Sequence, residues 1–255
     1  MIFTSSCCDN LSIDEIIERA EKGDCEAQYI VGFYYNRDSA IDSPDDEKAF
    51  YWLKLAAEQG HCEAQYSLGQ KYTEDKSRHK DNEQAIFWLK KAALQGHSDA
   101  QNNLADLYED GKGVAQNKTL AAFWYLKSAQ QGNRHAQFQI AWDYNAGEGV
   151  DQDYKQAMYW YLKAAAQGSV GAYVNIGYMY KHGQGVEKDY QAAFEWFTKA
   201  AECNDATAWY NLAIMYHYGE GRPVDLRQAL DLYRKVQSSG TRDVSQEIRE
   251  TEDLL

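Results

Sequence analysis

Proline is nearly absent from this chain, with two residues in 255, and no single class of residue swamps the composition. Together with a 44% hydrophobic content, that excludes the low-hydrophobicity composition of disordered chains, so the protein folds. Long apolar runs are also missing. No stretch approaches the ~18 apolar residues of a membrane-crossing helix. The start, Met-Ile-Phe-Thr-Ser-Ser-Cys-Cys-Asp, has neither a basic region nor the apolar core of a secretory signal. Adjacent Cys7 and Cys8 offer thiols for lipidation in a context that gives it little support.

Positive charge is scarce as well. Against 39 acidic residues stand 26 basic ones, a formal net charge of −13. A nucleic-acid binder needs cations to neutralise phosphates, so that class is excluded, and attraction to an anionic membrane is disfavoured. A basic protein partner would be drawn in by long-range steering, although the same acidity serves solubility. Cysteine is neither abundant nor even in number: Cys7, Cys8, Cys25, Cys62 and Cys203. Cys25 and Cys62 sit in matching sequence. Equivalent positions in stacked units lie roughly 8–10 Å apart, beyond the ~7 Å reach of a disulfide. Reduced thiols and a cytoplasmic location are the expectation.

What the chain does have is a repeat. Trp52, Trp88, Trp124, Trp160 and Trp196 recur every 36 residues, with Leu232 in the sixth position. Gly60, Gly96, Gly132, Gly168 and Gly240 keep the same register, and Asn204 fills the gap. Asn is the best substitute for Gly at a left-handed helix end. Ala49, Ala85, Ala121, Ala157, Ala193 and Ala229 stand three residues before the aromatic position.

Each unit reads as two helices joined by a tight linker. In the first, Ala100, Leu104, Leu107 and Tyr108 fall at helical spacing; in the second, Ala121, Trp124, Tyr125 and Ser128 share a face. The linker carries Gly-x-Gly-Val at 111–114, 147–150 and 183–186, with Gly219 to Val224 as a variant. Valine is expected to plug the gap between the helices. The first two linkers lack the motif and are charged, so they are expected to differ in shape. Alanine pairs such as Ala56-Ala57 allow close helix approach, and the tryptophans fill the space, each worth ~3–5 kcal/mol against alanine. Ser12 followed by Glu15 forms a capping box ahead of a half-unit, and the charged segment after Gly240 reads as a terminal capping helix.

These residues closely resemble the Sel-one-like repeat family, relatives of the tetratricopeptide repeats. Its pattern is carried by Ala172-Tyr-Val-Asn-Ile-Gly-Tyr-Met-Tyr180, Gly183-Gln-Gly-Val186 and Ala193-Phe-Glu-Trp-Phe-Thr-Lys-Ala-Ala201. The resemblance implies an all-α, right-handed alpha-alpha superhelix (solenoid) of about six 36-residue helix-turn-helix repeats. Residues 1–23 would form a tail and capping half-repeat, residues 24–240 the six repeats, and residues 241–255 a capping helix. It also implies adaptor, assembly or host-interaction roles rather than catalysis. Cysteine-rich members with a disulfide in each unit are linked to cell-wall fragments or β-lactams; this chain lacks those pairs.

In such repeats the first helix of each unit lines the concave surface, which nominates partner-binding residues. They are Tyr29, Phe33, Asn36 and Arg37 in the first unit and Asn102, Asp106, Glu109 and Asp110 in the third. Phe138, Trp142 and Asn145 follow in the fourth, Tyr178, Lys181 and His182 in the fifth, and Tyr210, Ile214, His217 and Tyr218 in the sixth. Trp142 lies outside the 36-residue series, and with Phe138 and Tyr178 it could form an aromatic binding patch. An amide row at Asn103, Gln139, Asn175 and Asn211 could pair with a peptide backbone, or tie neighbouring repeats together.

No cysteine, histidine and carboxylate cluster makes a zinc-like set, no phosphate-binding loop is present, and no nucleophile arrangement stands out. His61 and His97 follow repeat-ending glycines and are expected to face solvent. The reading is therefore a cytoplasmic, non-enzymatic interaction module with no cofactor and no metal, binding a protein or peptide and, in one form, neutralising a basic toxin as an immunity protein would. A receptor or hydrolase acting on cell-wall fragments or β-lactams is the alternative.

Overall fold

The computed structural model describes residues 11–36, 46–74 and 79–255, and among these it contains 14 α-helices and no strand. The chain divides into two compact units, Met1–Ser128 and Ala129–Leu255. A short helix, α1 (Ile13–Glu21), precedes six helix pairs. In the first unit these are α2 (Cys25–Asn36) with α3 (Asp46–Glu58), α4 (Cys62–Thr73) with α5 (Asn82–Leu94), and α6 (Ser98–Asp110) with α7 (Lys118–Gln130). In the second they are α8 (Arg134–Ala146) with α9 (Tyr154–Ala166), α10 (Val170–His182) with α11 (Tyr190–Glu202), and α12 (Ala206–Tyr218) with α13 (Leu226–Ser239). The last helix is α14 (Ser245–Asp253). The fold is all-α and built of helical repeats, as the 36-residue period requires. Cys7, Cys8 and Arg37 lie outside the described residues, as does most of the linker after α2.

Local chemistry explains the helix boundaries. Ser12 and Glu15 form the predicted capping box at the start of α1. Asp81, Asp153, Asp189 and Asp225 cap the second helices α5, α9, α11 and α13, each accepting hydrogen bonds from the first-turn amides. The same cap residues close the linker, because their backbone N–H groups donate to the tyrosine carbonyls that end the first helices, as Asp153 does to Tyr144 at 2.9 Å. The second repeat keeps this clamp, from Asp81 to Tyr72 at 3.0 Å, without any Gly-x-Gly motif.

Within that motif the second glycine has a further purpose. A Cβ on Gly185 (φ +70°) would lie 2.6 Å from the Tyr154 carbonyl oxygen of the previous pair, so the turn touches its neighbour's backbone. At the end of the fifth repeat Asn204 adopts φ 62°, the left-handed conformation that the glycine register predicts. Val114, Val150 and Val186 are half-buried as expected of plugs, but Val224 is exposed.

The core of each unit forms at two kinds of contact. Within a pair, a small residue on the first helix meets a bulky one on the second: Gly32 faces Leu53, Gly69 faces Leu89, and Gly177 faces Phe197. The equivalent small residues Ala105, Ala141 and Ala213 are fully buried, as are the bulky Tyr125, Tyr161 and Tyr233. Between pairs, the tryptophan of one second helix shares a cluster with the second helix of the preceding pair and the first helix of its own. Trp88 of α5 joins Leu53, Ala56, Ala57, Ala64 and Leu68, and Trp124 packs on Ala85, Leu89, Ala100 and Leu104. Trp88 and Trp160 are buried and the other three of the series are half-buried.

A polar ladder accompanies this packing. Gln28, Gln65, Gln101 and Gln137 are all buried, and their Nε2 atoms donate to the carbonyls of Ala20, Ala57, Ala93 and Ala129 near the ends of the preceding helices. The oxygens of three of them accept from a second glutamine: Gln59 to Gln28 at 2.7 Å, Gln95 to Gln65 at 2.7 Å and Gln167 to Gln137 at 2.8 Å. Each of these carbonyls also accepts from the N–H of the glycine that ends the repeat, as Ala57 does from Gly60 at 3.0 Å, so the glutamine adds a second bond at the helix end.

The close approach at Gly177 sets up a test. A helical Gly→Ala change ordinarily gains up to ~1 kcal/mol. Here the new Cβ would sit 2.7 Å from Phe197 Cε1, and overpacking costs about 1–3 kcal/mol. Gly177→Ala is expected to lower stability by about 1–2 kcal/mol in urea unfolding.

Candidate functional site

The first helices of successive pairs are lateral neighbours within each unit, and two histidines define how they meet in the first. Nδ1 of His61 accepts the Ala64 N–H at 3.2 Å and so caps α4, while its Nε2 lies 3.0 Å from Glu26 Oε2 and its ring stacks on Tyr29 at 4.5 Å. His97 repeats the arrangement with Ala100, Glu63 and Tyr66. With Nδ1 accepting from backbone, Nε2 carries the proton and donates to the carboxylate. The expectation that these histidines face solvent is thus corrected: their side chains are only 16% and 10% exposed. A helix cap that must also touch its neighbour cannot point outward. Tyr29, nominated for binding, lies under His61 and against Phe33 at 6.1 Å; its hydroxyl is pushed up to about 12 by burial and then by the Glu63 and Glu26 charges.

In the first unit a concavity of ≈ 340 Å³ is lined by Thr73, Lys80, Asn82, Asn103, Asp106 and Asp110, among others. Three sequence-nominated residues are therefore brought together there. The acidic trio is internally engaged. Asp106 accepts from Tyr125 Oη at 2.6 Å and from Asn102 at 3.2 Å, Glu109 lies 3.8 Å from Lys118, and Asp110 lies 2.8 Å from Lys112. Asn103 is half-buried, with its amide in hydrogen-bonding reach of the Tyr66 hydroxyl.

A second concavity, ≈ 420 Å³, lies in the second unit where α8 and α10 begin. It is lined by Arg134, His135, Phe138, Gln139 and the Gly168–Gly171 turn. Phe138 forms its apolar wall, half-buried against Tyr161 at 5.7 Å and so close to α10 that a Cβ at Gly171 would lie 2.9 Å from its ring. Ser169 begins α10 without a side-chain cap, unlike the residues before α4, α6, α8 and α12. One turn beyond Phe138, Trp142 is 46% exposed. Tyr178 stands on α10, T-shaped to Phe197 at 5.6 Å and stacked on His182. Among the described residues no ring contact joins Trp142 to Phe138 or Tyr178.

Four further nominated residues make contacts within the fold. Asn175 donates to the Gly171 carbonyl, and buried Asn211 donates to the Thr207 carbonyl and the Tyr178 hydroxyl. At the end of the second unit, Tyr210 donates to Glu247 at 3.2 Å, Arg242 lies over its ring at 3.7 Å, and His217 Nδ1 meets Thr251 Oγ1 at 3.1 Å. Both residues are therefore covered by the C-terminal segment. Val244, Ile248 and Thr251 fall 36 residues after Ala208, Leu212 and Met215, so α14 occupies the place of a seventh first helix.

Beside this site, the buried hydroxyl of Tyr161 has no hydrogen-bond partner, and burial, then the Asp143 charge, push its ionisation well above the usual range. An unfolded tyrosine ionises near pH ~10, so the unfolded chain releases its proton first and stability falls as pH rises above about 10. Phenylalanine already stands one repeat later, at Phe197. Tyr161→Phe is expected to gain up to ~1 kcal/mol at neutral pH and to lose less stability than wild type above pH ~10, measured by denaturant unfolding across the pH range.

The chain matches the Sel1 repeat model six times, at residues 25–61, 62–97, 98–133, 134–169, 170–205 and 206–235. It is similar to c5321, a protective antigen of uropathogenic Escherichia coli strains with an SLR fold, at 35% identity and a TM-score of 0.82. That match covers 91% of this chain and 50% of the other, so the chain spans half the length of that protein. A Sel1 repeat protein from Oxalobacter formigenes is 31% identical with a TM-score of 0.71, covering 93% of this chain and 69% of its own.

Proposed function

The chain belongs to the Sel1 repeat family, and we propose that it is a cytoplasmic, non-enzymatic interaction module whose first-helix faces hold a segment of a partner protein. Sel1 repeats generally mediate protein–protein interactions, and a repeat fold presents the same face again and again to an extended ligand.

The observation that carries the reading is Trp142. It is 46% exposed on α8, outside the packing series, and one turn from a concavity walled by Phe138 and edged by the Gln139 amide. Tryptophan beside a pocket is the usual anchor of an interface, and a side-chain amide can meet a peptide's N–H and C=O together. Arg134 and His135 at the rim suit a carboxylate or a carbonyl of the bound segment. Tyr210, Asn211 and His217 contribute to the fold of that face rather than to contact, because α14 and Tyr178 already occupy them.

The net charge of −13 favours basic partners through steering, and neutralisation of a basic effector is the specific form this takes. Among the described residues no helix is long and apolar enough to cross a membrane.

The test is affinity capture from native lysate with wild type beside Trp142→Ala and Gln139→Ala, followed by titration calorimetry with the captured protein. Trp142→Ala is expected to weaken binding about tenfold or more with an unchanged circular dichroism spectrum. Equal affinity of wild type and Trp142→Ala would remove α8 from the interface.

A further inference from the structure

The second helices carry a feature that packing does not call for. Immediately before the tryptophans of the first unit stand Tyr51, Phe87 and Phe123, in one register 36 residues apart and 56%, 48% and 47% exposed. Each ring meets its tryptophan edge-on, at 5.1, 4.9 and 5.0 Å, which fixes its orientation. Single exposed apolar residues are ordinary; a row in consecutive repeats is a patch. The fifth and sixth repeats place Glu195 and Asp231 in the same register and fold equally well. The fold therefore does not require aromatic residues there.

Lysines flank the row. Lys91 lies 4.5 Å above the Phe87 ring and Lys127 lies 5.7 Å from that of Phe123, with Lys90 beside them on α5. Among the described residues no carboxylate comes within ion-pairing distance of Lys90, Lys91 or Lys127. The fourth repeat reproduces the local arrangement in the second unit, with Tyr159 edge-on to Trp160 and Lys163 5.6 Å from its ring. A row of rings and cations is thus set into a chain of net charge −13.

We propose that the face formed by α3, α5 and α7 docks an acidic amphipathic helix of a partner protein. Its apolar residues would seat on Tyr51, Phe87 and Phe123, and its carboxylates would pair with Lys90, Lys91 and Lys127. Trp88 of α5 shares a core cluster with residues of α3, and Trp124 of α7 shares one with residues of α5, so the three rings lie on successive second helices. A helix laid across them would present residues i and i+7 about 10.5 Å apart to successive rings. An anionic bilayer would also welcome rings and lysines, but the acidity of the whole chain opposes it. The residues of this face stand on second helices, whereas Trp142 stands on the first helix α8.

The test uses the full chain with a photo-crosslinking benzoylphenylalanine at position 87, irradiated in cells, and the attached segment sequenced. The segment is then synthesised as a peptide and titrated against the protein. The expected product is an acidic helical segment that binds at least tenfold more weakly to Phe87→Ser/Phe123→Ser and to Lys90→Glu/Lys91→Glu/Lys127→Glu. Binding should also weaken at least tenfold from 0.05 to 0.5 M salt and stay unchanged in Trp142→Ala. The Phe→Ser variant is checked by circular dichroism, and Phe87→Glu, which copies the residue type at Glu195, serves if it unfolds. Cross-links to lipid with sedimentation on phosphatidylglycerol vesicles, cross-links to a second copy of the chain, or no cross-link at all would each overturn the proposal.

Discussion

The rest of this structure depends on the joint between one helix pair and the next. A pair of 12- or 13-residue helices cannot bury its apolar faces alone, so it is stable only against neighbours. The joint combines an apolar and a polar part. Trp88 fills the space above Leu53, Ala56, Ala57, Ala64 and Leu68. Beside it Gln65 takes up the Ala57 carbonyl and receives Gln95. The tryptophan supplies buried area, and the glutamines add a second hydrogen bond to helix-end carbonyls that already accept from the glycine N–H.

That division of labour leaves particular positions free to vary. On the second helices the residue before the tryptophan, or before Leu232 in the sixth repeat, is aromatic in four repeats and acidic in two. On the first helices the residue equivalent to Trp142 is Asp106 in the third repeat, Tyr178 in the fifth and Ile214 in the sixth. Asp106 and Tyr178 are drawn into hydrogen bonds with Tyr125 and Asn211, whereas Trp142 is left exposed. Function in a repeat fold is carried by such substitutions, because the scaffold does not constrain them.

The helices, their pairing and their left-handed ends were legible in the 36-residue period, down to Asn204 in place of glycine. The candidate site was less so. His61 and His97 look like surface residues until consecutive first helices are placed side by side, when their second nitrogens reach Glu26 and Glu63. The glutamine row at 28, 65, 101 and 137 is visible as a period, yet its meaning needs the neighbouring helix end. Tyr210 and His217 belong to the face nominated for binding by repeat position. The 36-residue offset from Ala208, Leu212 and Met215 to Val244, Ile248 and Thr251 could have revealed the helix that covers them. The local partners of Asp106, Glu109 and Asp110 could not be read from composition, which counts charges without placing what they meet.

The central claim, that stability resides in nearest-neighbour joints, is tested most directly by hydrogen exchange on Trp88→Ala. The account predicts that amide protection falls most in α3, α4 and α5, which meet at that joint, while α10 to α13 keep wild-type protection. Equal loss of protection in all helices, or an undisturbed α4, would contradict it.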